Sequence, residues 1–430
     1  MEMKKYKLGE ICRIASARRI FENEYVAAGI PFIRGQEVSD GSLMNPKSKF
    51  QCYISKKRFE ELKKEYGIPK KGDILITAVG TIGNLCYLDK DIDFYFKDGN
   101  LIWFSDFKED ILSEYLYFFM KEDYFKKQLN HTLIGAVQKA LTMEKLSKIE
   151  IIVPPLPTQQ KIAAVLSSLD KKIALNCRIN ARLEQMAKRL YEHYFVQFDF
   201  PTADGKPYKT SGGKMVYSSE LKREIPDGWE VKSIKSVMDC DISGDWGQDI
   251  QKGNYDYKVN CIRGCDITDM TSLPQRFILT VNSKKLLEEN DFVIEISGGS
   301  PTQSTGRIIQ ITREILDRFN NKLICSNFCR GIRLSNKNYV SYFNYMWKMF
   351  YQNDVFFNYE GKTSGLKNFQ FDTFVNEKWY FPDEKLVKQF NEVIFQIKKE
   401  IDKNELESAR LTSLRDRLLP LLMNGQVSVE

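Results

Sequence analysis

The chain has 430 residues, a hydrophobic fraction of 43% and an aromatic fraction of 13%, values typical of a folded protein with room for two or three domains. Its formal net charge of +7 permits a nucleic-acid partner without requiring one. Only two histidines occur, which argues against a histidine-based catalytic triad or a histidine-rich metal site. No stretch approaches about 20 apolar residues, so we expect no membrane span, a cytoplasmic location and reduced cysteines.

The first globular segment, residues 1–153, contains two motifs that predict strands followed by polar turns. PFIRGQEVSDGSL begins at Pro31, and KKGDILITAVGTIG begins at Lys70. In the second motif an Asp precedes an apolar strand, which leads into a loop rich in Gly and Thr. We expect an α/β domain made mostly of strands with helices at the edges.

A long helix is predicted over residues 154–198. PPLPTQQKIAAVLSSLDKKIALNCRINARLEQMAKRLYEHYF begins at Pro154, and its apolar residues recur in alternating steps of three and four, as in the seam of a coiled coil. A polar residue, Asn176, lies in this seam, where it would lower stability but fix the register. The segment that follows, 199–225, is polar and rich in Gly, Pro, Ser and Lys, so it reads as a flexible linker.

The segment 226–382 repeats the first segment. Arg263 in NCIRGCDITDMTSL matches Arg34 at an offset of 229, and Lys367 matches Lys139 at an offset of 228. ENDFVIEISGGSPTQSTG is the counterpart of KKGDILITAVGTIG. Internal similarity of this kind indicates a duplicated domain.

The last segment, 383–430, is a second long helix with the same heptad phase. Asn404 lies 228 residues after Asn176, and the other seam positions keep that offset. We therefore expect the two helices to pair with each other, antiparallel because the linker is short, with one domain at each end. The helix-pairing residues are Leu166, Leu169, Ile173, Asn176, Leu183, Leu190, Ile397, Ile401, Asn404, Leu411 and Leu418.

Together these segments resemble the specificity subunits of type I restriction-modification systems. The first helix resembles the central conserved region of that family, and LTSLRDRLLPLLMNGQVSV, which begins at Leu411, resembles its C-terminal conserved region. KKGDILITAVGTIG and GAVQKAL resemble landmarks of its target recognition domains. The resemblance implies an α/β (α+β) fold with two similar recognition domains, two long antiparallel coiled-coil helices and a pseudo-two-fold internal repeat. PDEKLVKQF departs from the PPLPTQQKI pattern, which leaves the edge of the second domain less defined.

The resemblance also implies a function and a set of partners. Each recognition domain would bind one half of a bipartite, asymmetric site in double-stranded DNA. The helices would space the two halves and dock two methyltransferase subunits, and restriction subunits would join them. The chain would carry no chemistry of its own, and S-adenosylmethionine, ATP and Mg²⁺ would belong to the partner subunits.

Two alternatives remain open at this point. A single-chain restriction-modification enzyme would need methyltransferase motifs, and the only Pro-Pro, at Pro154, lacks the Asn/Asp and aromatic residues that flank it in such motifs. A two-ended protein interaction scaffold would share the same architecture. Four cysteines with C-x3-C spacing suggest zinc, although buried apolar thiols are the favoured interpretation. They are Cys261, Cys265, Cys325 and Cys329.

Candidate DNA contacts are basic, amide and hydroxyl side chains in loops. An ion pair of Arg34 with Glu37 or Asp40 is an equally good interpretation of that arginine, because it recurs as Arg263. Lys139 and Lys367 also recur, which suits contact with phosphate. The loop 297–305 is the best base-reading candidate in the second domain. The full set is Arg34, Gln36, Thr77, Thr81, Gln138, Lys139, Arg263, Ser300, Thr302, Gln303, Ser304, Lys362, Thr363, Ser364 and Lys367.

Overall fold

The computed structural model describes residues 3–44, 48–133, 140–268, 270, 272–300, 302–320, 322–363 and 366–429. The chain divides into two compact units, Met1–Asn176 with Leu406–Glu430, and Cys177–Glu405. Each unit combines strands with helices, so the mixed fold class expected from the sequence is confirmed. None of the described helices is both long and apolar enough to span a bilayer.

The first unit contains two four-stranded sheets and a terminal strand pair. Its strands are β1 (Lys4–Lys7), β2 (Arg13–Ala15), β3 (Tyr25–Val26), β4 (Ile30–Ile33), β5 (Tyr53–Ile54), β6 (Ile74–Thr77), β7 (Leu85–Tyr87), β8 (Tyr95–Phe96), β9 (Leu101–Ser105) and β10 (Glu150–Val153). Its helices are α1 (Leu8–Ile11), α2 (Gly35–Ser39), α3 (Lys56–Tyr66), α4 (Ser113–Lys121), α5 (Asp123–Leu133), α6 (Met143–Ser147) and the first part of α7 (Leu156–Tyr191). The sheets have the orders β2-β9-β6-β7 and β3-β5-β4-β8, and β1 pairs with β10.

The central strand β6 separates two parts of the core. Its four residues, ILIT, are all buried. Ile74 and Ile76 pack with Tyr115 and its neighbours, whereas Leu75 packs on the opposite side with Trp103. Successive side chains of a strand point to opposite faces, so an uninterrupted apolar run is what a strand covered on both faces requires.

The second unit has the same architecture with more strands. They are β11 (Met215–Ser218), β12 (Arg223–Pro226), β13 (Glu230–Ser233), β14 (Met238–Ser243), β15 (Tyr255–Ile262), β16 (Gln275–Leu279), β17 (Phe292–Glu295), β18 (Ser297–Gly298), β19 (Ile308–Gln310), β20 (Leu323–Cys325), β21 (Cys329–Leu334), β22 (Glu360–Thr363), β23 (Leu366–Phe369) and β24 (Lys378–Phe381). Its helices are α8 (Arg313–Arg318), α9 (Val340–Gln352), α10 (Phe371–Val375) and α11 (Glu384–Met423), whose last part belongs to the first unit.

The strand pairing repeats between the units, which confirms the internal duplication. The sheet β14-β21-β17-β19 corresponds to β2-β9-β6-β7, and β13 pairs with β24 as β1 pairs with β10. The parallel pair β4–β8 aligns Phe32 with Tyr95, and the parallel pair β15–β20 aligns Cys261 with Ile324. Both residues of the second pair lie 229 positions after their counterparts, which is the offset of the two Arg-Gly motifs.

The segment 199–225 is not the flexible coil that its composition suggests. Strands β11 and β12 form an antiparallel hairpin at its end. Phe200 stacks on Tyr208 with ring centroids 4.5 Å apart, and Phe200 also stacks on Trp229. The Asp199 carboxylate accepts hydrogen bonds from the backbone and hydroxyl of Thr210. A few aromatic side chains anchor the segment to the core of the second unit, despite the Gly, Pro and Lys around them.

The two long helices run antiparallel where they meet within each unit. In the first unit, Arg415 donates to the Asp170 carboxylate at 2.7 Å, and Asn176 donates to Glu407 at 2.7 Å. In the second unit, Asn404 donates to Asn180 Oδ1 at 2.8 Å. Contacts therefore move backwards along α11 as they move forwards along α7. The predicted seam residues of both helices, Leu169, Ile173, Leu183, Leu190, Ile397, Ile401, Leu411 and Leu418 among them, are buried or half-buried.

Candidate nucleic-acid interface

In each unit an Arg-Gly turn follows a buried strand and is closed by a carboxylate. Arg34 donates from its backbone N–H and its guanidinium to Glu37, at 2.9 and 3.0 Å. Arg263 does the same to Asp266, with three hydrogen bonds of 2.8 to 2.9 Å. The ion-pair interpretation of Arg34 therefore has direct support, with Glu37 as the partner. A guanidinium has five N–H groups, so such a pair orients the arginine and leaves donors for a further acceptor.

The electrostatics of the second turn favour the charged pair. Burial alone would raise the pKa of the Asp266 carboxyl, but hydrogen bonds from Arg263 outweigh it and leave that pKa lowered. The pKa of Arg263 is raised, mainly by its hydrogen bonds to Asp266. The side chain of Arg263 is nevertheless 42% exposed, against 6% for Asp266. The arginine is thus the solvent-facing member of a fixed pair.

In the first unit, the loop after β6 lies beside the Arg34 turn. Asn84 donates to Ser39 Oγ at 2.8 Å, which ties the loop to α2. Thr77 is buried, and its hydroxyl donates to Thr81 O and accepts from the backbone N–H of Asn84. Thr77 therefore shapes the loop, and its position gives no support for a DNA contact. Gln36 and Thr81 are exposed on the same surface.

In the second unit, the corresponding loop after β17 is longer and is held by buried ion pairs. Seven residues (78–84) connect β6 to β7, whereas twelve (296–307) connect β17 to β19 and include β18. Arg307 donates twice to Glu295, at 2.8 and 2.7 Å, and Thr305 donates to Glu360. Between these anchors, Thr302 and Gln303 are exposed, Ser300 is half-exposed and Ser304 is buried. The predicted base-reading residues are therefore reduced by Ser304.

Lys367 is close to this loop but already has partners. Its ammonium lies 3.2 Å from the Glu360 carboxylate and donates to Gln303 O at 3.2 Å. The side chain is only 14% exposed. A neutralised and largely covered ammonium is poorly placed for phosphate, so the observed role of Lys367 is to fasten the loop.

Several predicted contact residues cannot be placed. Gln138, Lys139 and Ser364 lie outside the described residues. Lys362 and Thr363 belong to β22, where the backbone of Lys362 is paired with Lys367, but their side chains are not described. DNA contact by the exposed residues of both surfaces stays a prediction.

A third segment completes each surface, and it was not predicted from the sequence. The backbone N–H of Lys97 donates to Ile33 O at 2.8 Å, and that of Ala78 donates to Asn100 O at 2.8 Å. In the second unit, Ser326 donates to Ile262 O at 2.9 Å, and Ile296 donates to Phe328 O at 2.9 Å. The turn before β9 thus lies beside the Arg34 turn, as the turn before β21 lies beside the Arg263 turn. The signal available in the sequence was the constant offset.

We define two candidate surfaces from these segments. The first candidate surface consists of Arg34, Gln36, Thr81 and Asn100. The second candidate surface consists of Arg263, Ser300, Thr302, Gln303 and Phe328. In both, three backbone segments meet at the end of a central strand through the same hydrogen bonds.

The cysteines of the second unit are packed as thiols. Burial raises the pKa of Cys261 and of Cys325 to about 12 and raises that of Cys329 further. Cys265 is exposed and donates to Asp266 at 3.5 Å. Within the described ranges, no three His, Cys, Asp or Glu side chains are grouped to hold a metal ion.

Comparisons with known proteins agree with this architecture. Residues 1–185 match the family model described as the type I restriction modification DNA specificity domain. The chain is 25% identical over 417 residues to the type I restriction enzyme MjaIX specificity subunit of Methanocaldococcus jannaschii, which covers 95% of this chain and 89% of that protein. It is 25% identical over 488 residues to the type I restriction enzyme HindI specificity subunit of Haemophilus influenzae, covering 99% of this chain and 100% of that protein.

A solved structure extends the similarity to the whole fold. The S subunit of a type I restriction-modification system from M. genitalium superimposes with a TM-score of 0.60, at 14% identity, over 98% of this chain and 96% of that chain. The resemblance inferred from the sequence is thereby confirmed: residues 1–185 carry the type I restriction-modification DNA specificity domain, and the chain as a whole has the fold of a specificity subunit.

Proposed function

We propose that this chain is the DNA specificity subunit of a type I restriction-modification complex and that each candidate surface binds one half of a bipartite, asymmetric site in double-stranded DNA. The observation that carries this proposal is a repeated backbone frame with different side chains and loop lengths. A repeated frame places the two surfaces in equivalent settings, while different side chains read different base edges. Identical surfaces would instead suit a symmetric site.

The chain contributes recognition, and its partners contribute chemistry. The buried carboxylates around the candidate surfaces, Glu37, Asp266, Glu295 and Glu360, are each paired with an arginine or lysine and hold turns in place. Methyl transfer and DNA cleavage then belong to partner subunits, which bind S-adenosylmethionine, ATP and Mg²⁺. Because the target is chromosomal or incoming DNA, the complex acts in the cytoplasm.

The long helices are the docking sites for two methyltransferase subunits, with restriction subunits joining the assembly. Large apolar side chains on these helices are exposed, and apolar groups clustered on a surface mark protein interfaces. Met186 is 59% exposed and Phe395 is 60% exposed. The full set is Leu175, Ile179, Met186, Val393, Phe395, Leu406 and Leu414.

Genome-wide mapping of methylated bases tests the proposal. A host carrying this gene with its methyltransferase partner should methylate one motif made of two different half-sequences with a fixed number of unspecified base pairs between them. Methyl transfer by the isolated chain would point to a single-chain enzyme instead. A complex whose DNA binding is weak, independent of salt and independent of sequence would point to a protein scaffold.

A further inference from the structure

Asn100 and Phe328 occupy the same position in the two units. They lie 228 residues apart, and the carbonyl of each accepts the backbone hydrogen bond from the first residue after the central strand. The residue supporting each turn from behind is also equivalent. Ser16 Oγ donates to Leu101 O at 3.1 Å, and Gly244, 228 residues after Ser16, lies so close to Ser326 O that a side chain there would collide with it.

The backbone is therefore the same, but the side chains differ in chemistry. Asn100 is half-exposed, and no hydrogen bond to its side chain is found among the described residues. Phe328 is 55% exposed although phenylalanine is usually buried. Its carbonyl also accepts from the backbone of Ser297 at 3.2 Å, so the ring is carried by a turn fixed to the start of the 296–307 loop.

An amide and an apolar ring are the complements of different base edges. Asn pairs in a bidentate manner with N6 and N7 of adenine in the major groove, and apolar side chains contact the 5-methyl group of thymine. Residues that only hold a fold need not differ between two copies of one frame, whereas residues that read different half-sites must differ. Arg34 and Arg263, with their recurring ion pairs, follow the first pattern, and Asn100 and Phe328 follow the second.

Resting on the function proposed above, we infer that positions 100 and 328 are equivalent specificity-determining positions: Asn100 reads an adenine in one half-site, and Phe328 contacts a thymine methyl group in the other. Each contact fixes one base pair of its own half-site. Discrimination at that base pair should be roughly 5- to 150-fold, the range that one good base contact provides.

The Phe328 contact is tested by removing either partner of the pair. Once the methylated motif is known, each thymine of its half-sites is replaced in turn by uracil, which lacks the 5-methyl group. One replacement, in one half-site, should weaken binding by the complex of this chain with its methyltransferase partner. Phe328→Ala should weaken binding to normal DNA by the same factor, and uracil at that position should add nothing further. Tyr217→Ala is the matched control, because Tyr217 is 65% exposed on the β11–β12 hairpin.

The Asn100 contact is tested with 7-deazaadenine, which lacks the N7 acceptor. One substituted adenine, in the half-site that Phe328→Ala leaves unchanged, should lower affinity for the normal complex and have no effect with Asn100→Ala. Within each variant, base preference at the other half-site reports whether the protein is folded and assembled.

The outcomes separate this inference from the proposed function. If the unmodified complex recognises a bipartite motif but Phe328→Ala and Asn100→Ala retain every base preference, positions 100 and 328 do not read bases. The same conclusion follows if either variant weakens binding equally to all sequences. If the unmodified complex recognises no specific sequence, the proposed function itself fails.

Discussion

Asn404 donates a hydrogen bond of 2.8 Å to the side-chain oxygen of Asn180, and Asn180 in turn donates to the carbonyl of Ile401 at 3.3 Å. Both asparagines lie in the seam between α7 and α11, where most other positions are apolar. A polar pair in an apolar seam is satisfied in one alignment only, because a shift of either helix leaves its amides without partners.

Asn404→Ala should lower the free energy of unfolding by about 1 kcal/mol, because it leaves Asn180 Oδ1 without its donor. Asn180→Ala should cost a similar amount, and the double variant should cost less than the two single costs together. Urea unfolding followed by circular dichroism measures each value. Ser413→Ala, at an exposed position of the same helix, should change stability by less than about 0.5 kcal/mol. Strict additivity of the two asparagine variants would show that their hydrogen bond contributes nothing.

The helix pair was predictable because it depends on periodicity. Steps of three and four residues put the apolar positions on one side of a helix, whatever lies around it. Asn176 and Asn404 were assigned to the seam for this reason, and both are buried or half-buried there. The partners of these residues were not predictable, since they depend on the axial alignment of two helices more than 200 residues apart.

Gln159, near the start of α7, is almost fully buried and connects the helix to the first unit. Its side chain donates to Pro154 O and Asp110 O, at 2.8 and 2.9 Å, and accepts from the backbone N–H of Leu112 at 2.8 Å. Gln159→Ala should therefore lower the free energy of unfolding by about 2–4 kcal/mol, since it leaves three buried backbone groups unsatisfied. The adjacent Gln160 is exposed, and Gln160→Ala is the control. Equal melting temperatures for the two variants would contradict this role.

The linker illustrates where composition misleads. Residues 199–225 are polar on average, but their order depends on Phe200, Tyr208 and Asp199, which find partners only in the folded second unit. Average composition carries no information about such interactions. The candidate surfaces were only partly predictable for a similar reason: the Arg-Gly turns and loops have sequence signals, whereas Asn100 and Phe328 become notable only when backbone hydrogen bonds align the two units.

The pH dependence of stability should contain a contribution from Asp402. Burial, together with Glu314 and Glu405, raises its pKa to about 6, although Lys398 and Arg318 act in the opposite direction. The folded state then favours the protonated carboxyl, so stability should fall as the pH rises from about 4 to 6 and stay constant above that. Asp402→Asn should match the normal protein at pH 4 and exceed it by about 1–2 kcal/mol at pH 7, after allowance for partial solvent exposure. Glu400→Gln, on the exposed side of the same helix, is the control. A difference that does not change with pH would contradict the raised pKa.

The thiols should separate into reactive and protected groups. Cys177 and Cys265 are exposed, whereas Cys261, Cys325 and Cys329 are buried with raised pKa values that disfavour the reactive thiolate. A chromogenic disulfide reagent should therefore modify two thiols rapidly in the folded protein and all nine after denaturation. Cys177→Ser with Cys265→Ser should abolish the rapid phase. One zinc per chain, with its release on thiol modification, would instead support the four-cysteine site.

The loop after β17 provides a test confined to one half-site. Thr302 and Gln303 are exposed between the anchors Thr305 and Lys367, so their side chains can be removed without disturbing the ion pairs that hold the loop. The variant with Thr302→Ala and Gln303→Ala should relax the sequence requirement at one half-site by roughly 5- to 150-fold for each base that the loop no longer reads, and leave the other half-site unchanged. Methylated-base mapping measures both half-sites in one experiment. Glu360→Gln is a contrasting variant, because weakening the anchor should lower methylation of all sequences that share that half-site without changing which bases are preferred. If the Thr302 and Gln303 variant methylates the original motif at the normal rate and with the normal preferences, the loop does not read DNA.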